Sequence, residues 1–117
     1  MKKTVLWILI TCLAAPGSAA AIGAIAIDDL QGSGKPAYGY ALGRDSKREA
    51  KEAAIEYCEE YGGTHCQSVV WFETCGAVAV AKRRYGYGYG RTKAMAVADA
   101  LEMCELNSCK VLVAECE

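Results

Sequence analysis

Apolar residues recur along the chain with two different periods, and the switches between them mark out the elements. Ile22 to Ile27 is a short, isoleucine-rich apolar run suited to a buried strand. Asp28 to Pro36 interrupts it with Asp-Asp, Gly-Ser-Gly and Lys-Pro, the vocabulary of a loop. From Ala37 to Ala41 tyrosines alternate with small residues, so Tyr38 and Tyr40 project from one face of a strand and the glycine between them leaves the other face bare. Ser46-Lys47-Arg48-Glu49 has capping-box spacing and predicts a helix start. Ala50, Ala54, Ile55 and Cys58 then share one side of that helix, and Gly62-Gly63 stops it. Val69-Val70-Trp71-Phe72 reads as a closing strand, in which neighbouring side chains face opposite ways, one ring buried and the other nearer solvent.

The same order then returns. Gly23-Ala24-Ile25-Ala26-Ile27 is matched by Gly76-Ala77-Val78-Ala79-Val80, and Tyr38-Gly39-Tyr40 by the run from Tyr85 to Gly90. Thr92 answers Ser46, the stripe Ala96, Ala100, Leu101 and Cys104 answers that of the first helix, and Val111-Leu112-Val113-Ala114 closes the copy. A duplication this compact sets the architecture before any chemistry is considered. The expected fold is α+β, with two tandem strand-strand-helix-strand repeats, 22–75 and 76–117, related by a pseudo-twofold. Their strands form a mainly antiparallel sheet with helices on one side, stapled by disulfides. Small residues on each helix stripe allow close approach to the sheet, where the glycines between tyrosines make room. The first loop, long in one copy and short and basic at Ala81 to Arg84 in the other, is where the copies differ most.

Lys2-Lys3, the apolar stretch Val5 to Ala15 and the small residues Ser18-Ala19-Ala20 compose a signal peptide over 1–20, too short to cross a bilayer comfortably. Cys12 sits behind Leu9-Ile10-Thr11, a poor lipoprotein box. The mature chain, 21–117, is expected to be periplasmic or secreted and to hold no membrane span. It keeps six of the seven cysteines: Cys58, Cys66, Cys75, Cys104, Cys109 and Cys116. An even set in an exported chain reads as a disulfide framework, and the spacings lack the close ligand pairs of a zinc site. The repeat favours Cys58 with Cys66 and Cys104 with Cys109, each clipping a helix end to the next strand, and Cys75 with Cys116 joining equivalent strand ends across the pseudo-twofold. Without Lys2 and Lys3, 11 basic residues stand against 14 acidic ones, a balance that gives no argument for nucleic acid.

The paired Gly-Ala openings, the aromatic-glycine runs, the alanine-rich helices ending in cysteine and the junction from Val69 to Ala79 resemble the domain-of-unknown-function 4189 family of exported bacterial proteins. The resemblance spans essentially the whole mature chain. It implies an exported bacterial protein with no established common activity. The second closing strand departs from the first, with Val113-Ala114 where an aromatic pair would have matched.

Residues able to do chemistry are few. Cys58, His65 and Cys66 would make a thiol-imidazole pair only with free thiols, which the disulfide framework opposes. One histidine and no nucleophile elbow leave no serine triad, and the run from Tyr85 to Gly90 lacks the lysine and hydroxyl of a phosphate loop. Asp28 and Asp29 would suit a cation or paired carboxylates, but adjacent aspartates at a strand end more often start a turn by bonding nearby amides.

The tyrosines carry the recognition hypothesis. Tyr85, Tyr87 and Tyr89, with Arg84 and Arg91, are the candidate partner-binding set, and Tyr38 and Tyr40 are their counterparts. The competing reading has these rings covering the sheet. The expectation is a non-catalytic binding module that recognises a protein or a cell-envelope component and needs no cofactor and no metal; an inhibitor or immunity-type protein fits this scheme, but the sequence does not choose it. A small glycan-acting envelope enzyme using Asp28 or Asp29, and a self-associating structural protein, are the alternatives.

Overall fold

The computed structural model describes residues 21–28 and 36–117. The signal-peptide segment and Asp29 lie outside the described residues. In chain order the elements are β1 (Ile22–Ile27), β2 (Tyr38–Arg44), α1 (Lys47–Glu60), β3 (Gln67–Phe72), β4 (Cys75–Ala81), β5 (Arg84–Gly90), α2 (Lys93–Cys104) and β6 (Lys110–Cys116). Both strand-strand-helix-strand units are present, every strand pairing is antiparallel, and each helix lies on one side of its own strands.

The strands divide into two sheets, ordered β2-β1-β3 and β5-β4-β6. The reason lies in the central strands. Ala24 and Ala26 of β1 meet Ala50, Ala54 and Cys58 of α1, while Ala77 and Ala79 of β4 meet Ala96, Ala100 and Cys104 of α2. The opposite faces carry Ile25 and Ile27 on β1 and Val78 and Val80 on β4, all in one buried cluster with Val70, Phe72 and Val113. One sheet with helices on a single side would leave those branched side chains in water, so the two sheets bury them against each other. The layers run helix, sheet, sheet, helix.

Close approach of helix to sheet depends on glycine. A Cβ at Gly39 would fall on the Cys58 amide nitrogen and the Ala54 carbonyl, and one at Gly88 on the Ala96 carbonyl. Between the sheets the Phe72 ring occupies the space left by two equivalent glycines, Gly23 and Gly76. Phe72 is buried while Trp71, its neighbour, faces α1 with the Lys47 ammonium 4.4 Å from its ring centre. The helices start where the capping residues place them, with the Ser46 hydroxyl accepting from the Glu49 amide and the Thr92 hydroxyl from the Met95 amide, both at 3.1 Å.

All six cysteines pair as Cys58–Cys66, Cys104–Cys109 and Cys75–Cys116. The first two fasten each helix end to the chain entering the next strand. The third differs from its expected role. Cys75 opens β4 and stands directly opposite Cys116 of β6, so this bridge lies inside the second sheet and does not cross between units. The equivalent positions in the first unit, Ile22 and Glu73, carry no sulfur.

Loop lengths rank the three bridges. Separations of 41, 8 and 5 residues predict, in the chain-entropy view, that losing Cys75–Cys116 costs about 4 kcal/mol and each of the others about 2 to 2.5. Paired Cys→Ala variants compared by urea denaturation check the order.

Candidate functional site

The groups that suggested chemistry are occupied by structural work. Cys58 and Cys66 are bonded to each other, so His65 faces no free thiol of theirs, and its exposed ring lies with Nδ1 3.1 Å from the neighbouring Thr64 hydroxyl. Asp28 is fully buried at the end of β1. Its Oδ2 accepts from the amides of Thr64 at 2.8 Å and His65 at 3.2 Å, and from the Thr64 hydroxyl at 3.3 Å. Asp28 thus clamps the distant α1–β3 connection, and the turn expected at Asp28-Asp29 runs into residues outside those described. Among the described residues no group of three or more His, Cys, Asp or Glu side chains is placed to hold a metal ion. No described helix is long and apolar enough to cross a membrane.

The β5 candidates do not form a single patch. Tyr85 and Tyr87 pack their rings against the inter-sheet core. Arg84, at the start of β5, pairs with Glu105 beyond α2 at 2.8 Å. Tyr89 is 62% exposed at the other end of the strand, where it borders a shallow hollow with Glu73 and Arg91. Arg84 and Arg91 are separated by the length of β5, roughly 20 Å of extended chain.

An aromatic cleft lies on the first unit instead. It measures about 710 Å³ and runs along β2 at the edge of its sheet, from Pro36 to Leu42 and on to Arg44, with Tyr57 of α1 and Tyr61 at its C-cap beside it. Tyr38 and Tyr40 project from the inter-sheet face of β2, whereas Tyr57 and Tyr61 come from the helix layer, so aromatic rings stand on both sides of the strand edge. Tyr61 is 76% exposed. Tyr57 and Tyr61 escaped the sequence reading, although their four-residue spacing off the alanine stripe was a usable signal. A second hollow continues past Arg44 and is acidic, bordered by Asp45, Glu49, Glu52 and Glu56.

The two units treat this edge differently. Ile25 stands opposite Tyr40, and Val78 opposite Tyr87, so Tyr40 and Tyr87 are equivalent. The Tyr87 amide, pointing out of its sheet, donates to Met103 Sδ at 3.3 Å. The counterpart of Met103, one residue before the helix cysteine, is Tyr57, which borders an open cleft.

Electrostatics mark Tyr40 too. Its phenol holds its proton above the ordinary value of 10.0, chiefly because of the negative charge of Glu115 on β6, then through partial desolvation and the neighbouring Tyr38 and Tyr61, with a hydrogen bond to Glu115 adding to the effect.

Fold and site thus define a disulfide-stapled, four-layer α+β domain with an aromatic cleft on one sheet edge. The chain belongs to the family described as Domain of unknown function (DUF4189), whose model matches residues 22–116. Comparison with curated proteins and with solved structures finds no match.

Two outcomes follow from these contacts. Asp28→Ala strands the Thr64 and His65 amides and is expected to destabilise the domain by about 2 to 4 kcal/mol in chemical denaturation. Glu115→Gln should bring the Tyr40 phenol down toward its ordinary range, as read by pH titration of its ring carbon in NMR. The stability linked to that proton is fully present below the ordinary tyrosine range and is lost as pH climbs through the raised folded value, and the same substitution should lessen this alkaline loss.

Proposed function

We propose that this protein is an exported, non-catalytic binding module that recognises a protein or a cell-envelope component through the tyrosine cleft on β2. One observation carries the reading: rings from two layers, Tyr38 and Tyr40 from the strand and Tyr57 and Tyr61 from the helix, flank one open cleft on a scaffold held by three disulfides. Tyrosine supplies large contact area with few rotatable bonds, and a stapled scaffold loses little freedom when a partner docks. An inhibitor or immunity-type role uses that kind of rigid surface. The exported location, periplasmic or secreted, is supported by the basic-apolar-small N-terminal pattern and by disulfides, which persist in oxidising compartments.

Within this reading the β5 set contributes unequally. Tyr89 and Arg91 are exposed and able to meet a partner, whereas Tyr85 and Tyr87 act mainly through packing and Arg84 is engaged with Glu105. The glycan-enzyme alternative loses support at Asp28, whose carboxylate is buried and already accepts three hydrogen bonds.

The test is capture from envelope extract with the oxidised protein and with its Tyr40→Ser, Tyr61→Ser double variant. The variant is expected to retain its circular dichroism and to bind the captured partner about thirtyfold more weakly, as for loss of an aromatic hot spot. Undiminished binding by the folded variant would remove the cleft from the account.

A further inference from the structure

We propose that the β2 cleft takes an extended, basic polypeptide segment of a partner protein, which adds to the first sheet as a fourth strand. This rests on the cleft being the binding site and names the chemistry of its occupant.

The backbone sets the floor of the cleft. The Asp28 amide donates to the Ala37 carbonyl at 3.0 Å, and the register continues through Ala26 with Gly39 and Ala24 with Ala41. In an antiparallel ladder those residues turn their amides and carbonyls toward β1, so Tyr38 and Tyr40 turn theirs outward into the cleft. The spacing of donors and acceptors along the floor is that of a strand, and its complement is another strand.

Edge strands are ordinarily protected. The second unit shows such protection, because Met103 covers the outward Tyr87 amide. In the first unit Tyr57 replaces Met103, the cleft is open, and β2 carries neither proline nor charge from Tyr38 to Leu42. Among the described residues the same outward amide is therefore covered in one copy and open in the other.

Charge selects the occupant. Pairing of β2 with the β2 of a second copy is the competing occupant, and sedimentation in the test below separates it. The hollow that continues from the cleft sets Asp45, Glu49, Glu52 and Glu56 against Arg44, with Glu52 paired to Arg48 at 3.5 Å, and the net negative charge that remains attracts lysine or arginine side chains on an incoming strand.

A random peptide library displayed on phage, selected on the oxidised protein, supplies the probe. Selected peptides are expected to be rich in β-branched residues and to carry lysine or arginine. Synthetic copies methylated on alternate backbone nitrogens separate the two edges of the bound strand. Methylation of the set facing β2 should weaken binding about tenfold or more, and methylation of the other set should leave it nearly unchanged. Glu52→Lys with Glu56→Lys should weaken the basic peptides by about threefold or more.

Equal effects of both methylation sets, a selection that yields no basic peptides, or preferential binding of an envelope oligosaccharide would overturn the proposal. So would sedimentation as a dimer that hides β2. If the Tyr40→Ser, Tyr61→Ser variant loses binding while methylation has no directional effect, the cleft remains the binding site and strand addition fails. If that variant binds as well as the parent, both readings fail.

Discussion

The alternation of alanine with isoleucine or valine in β1 and β4 is the constraint on which the rest of the structure depends. The alanine faces admit a helix at close range, because Gly39 on β2 and Gly88 on β5 remove the side chains that would hold it away. The branched faces are unfavourable in water, and among the described residues they are buried against the equivalent face of the other unit. Each unit is thus complete on its helix side and incomplete on the other. Duplication supplies the missing layer, and Phe72 fills the gap between Gly23 and Gly76 where the two units meet.

Much of this was legible in the residues. Ser46 and Thr92 mark the helix starts because a hydroxyl before an amphipathic run has a specific local partner. The pairs Cys58–Cys66 and Cys104–Cys109 were legible from the repeat, since matched cysteines at a helix end and the following strand have little choice, whereas Cys75–Cys116 forms the expected pair on a different geometry. What depends on distant contacts was not. The division into two sheets follows from which face of β1 finds a partner, and alternation alone does not say whether that partner is solvent, helix or a second sheet. Cys75 lies inside the second sheet because β4 begins one residue before the boundary drawn between the repeats. Asp28 bonds amides 36 and 37 residues away, beyond the reach of any turn rule.

The candidate site followed the same division. Tyr38 and Tyr40 were visible as an alternating pair, and Tyr57 and Tyr61 join them only because α1 crosses the sheet near the β2 edge. The β5 run, richer in tyrosine and arginine, drew attention for its composition. Yet Tyr85 and Tyr87 are spent on the inter-sheet core, and Met103 covers the outward Tyr87 amide. The repeat is therefore informative through its broken symmetry. Tyrosine in place of methionine at one helix position distinguishes, among the described residues, a covered outward amide at Tyr87 from its open equivalent at Tyr40.

That difference between edges is measurable without any ligand. Amide hydrogen exchange by NMR on the oxidised protein compares the outward Tyr40 and Tyr87 amides at equivalent positions of the two sheets. The account predicts slow exchange at Tyr87, fast exchange at Tyr40, and faster exchange at Tyr87 once Met103→Ala removes its cover. Equal protection at both positions in the unaltered protein would contradict it.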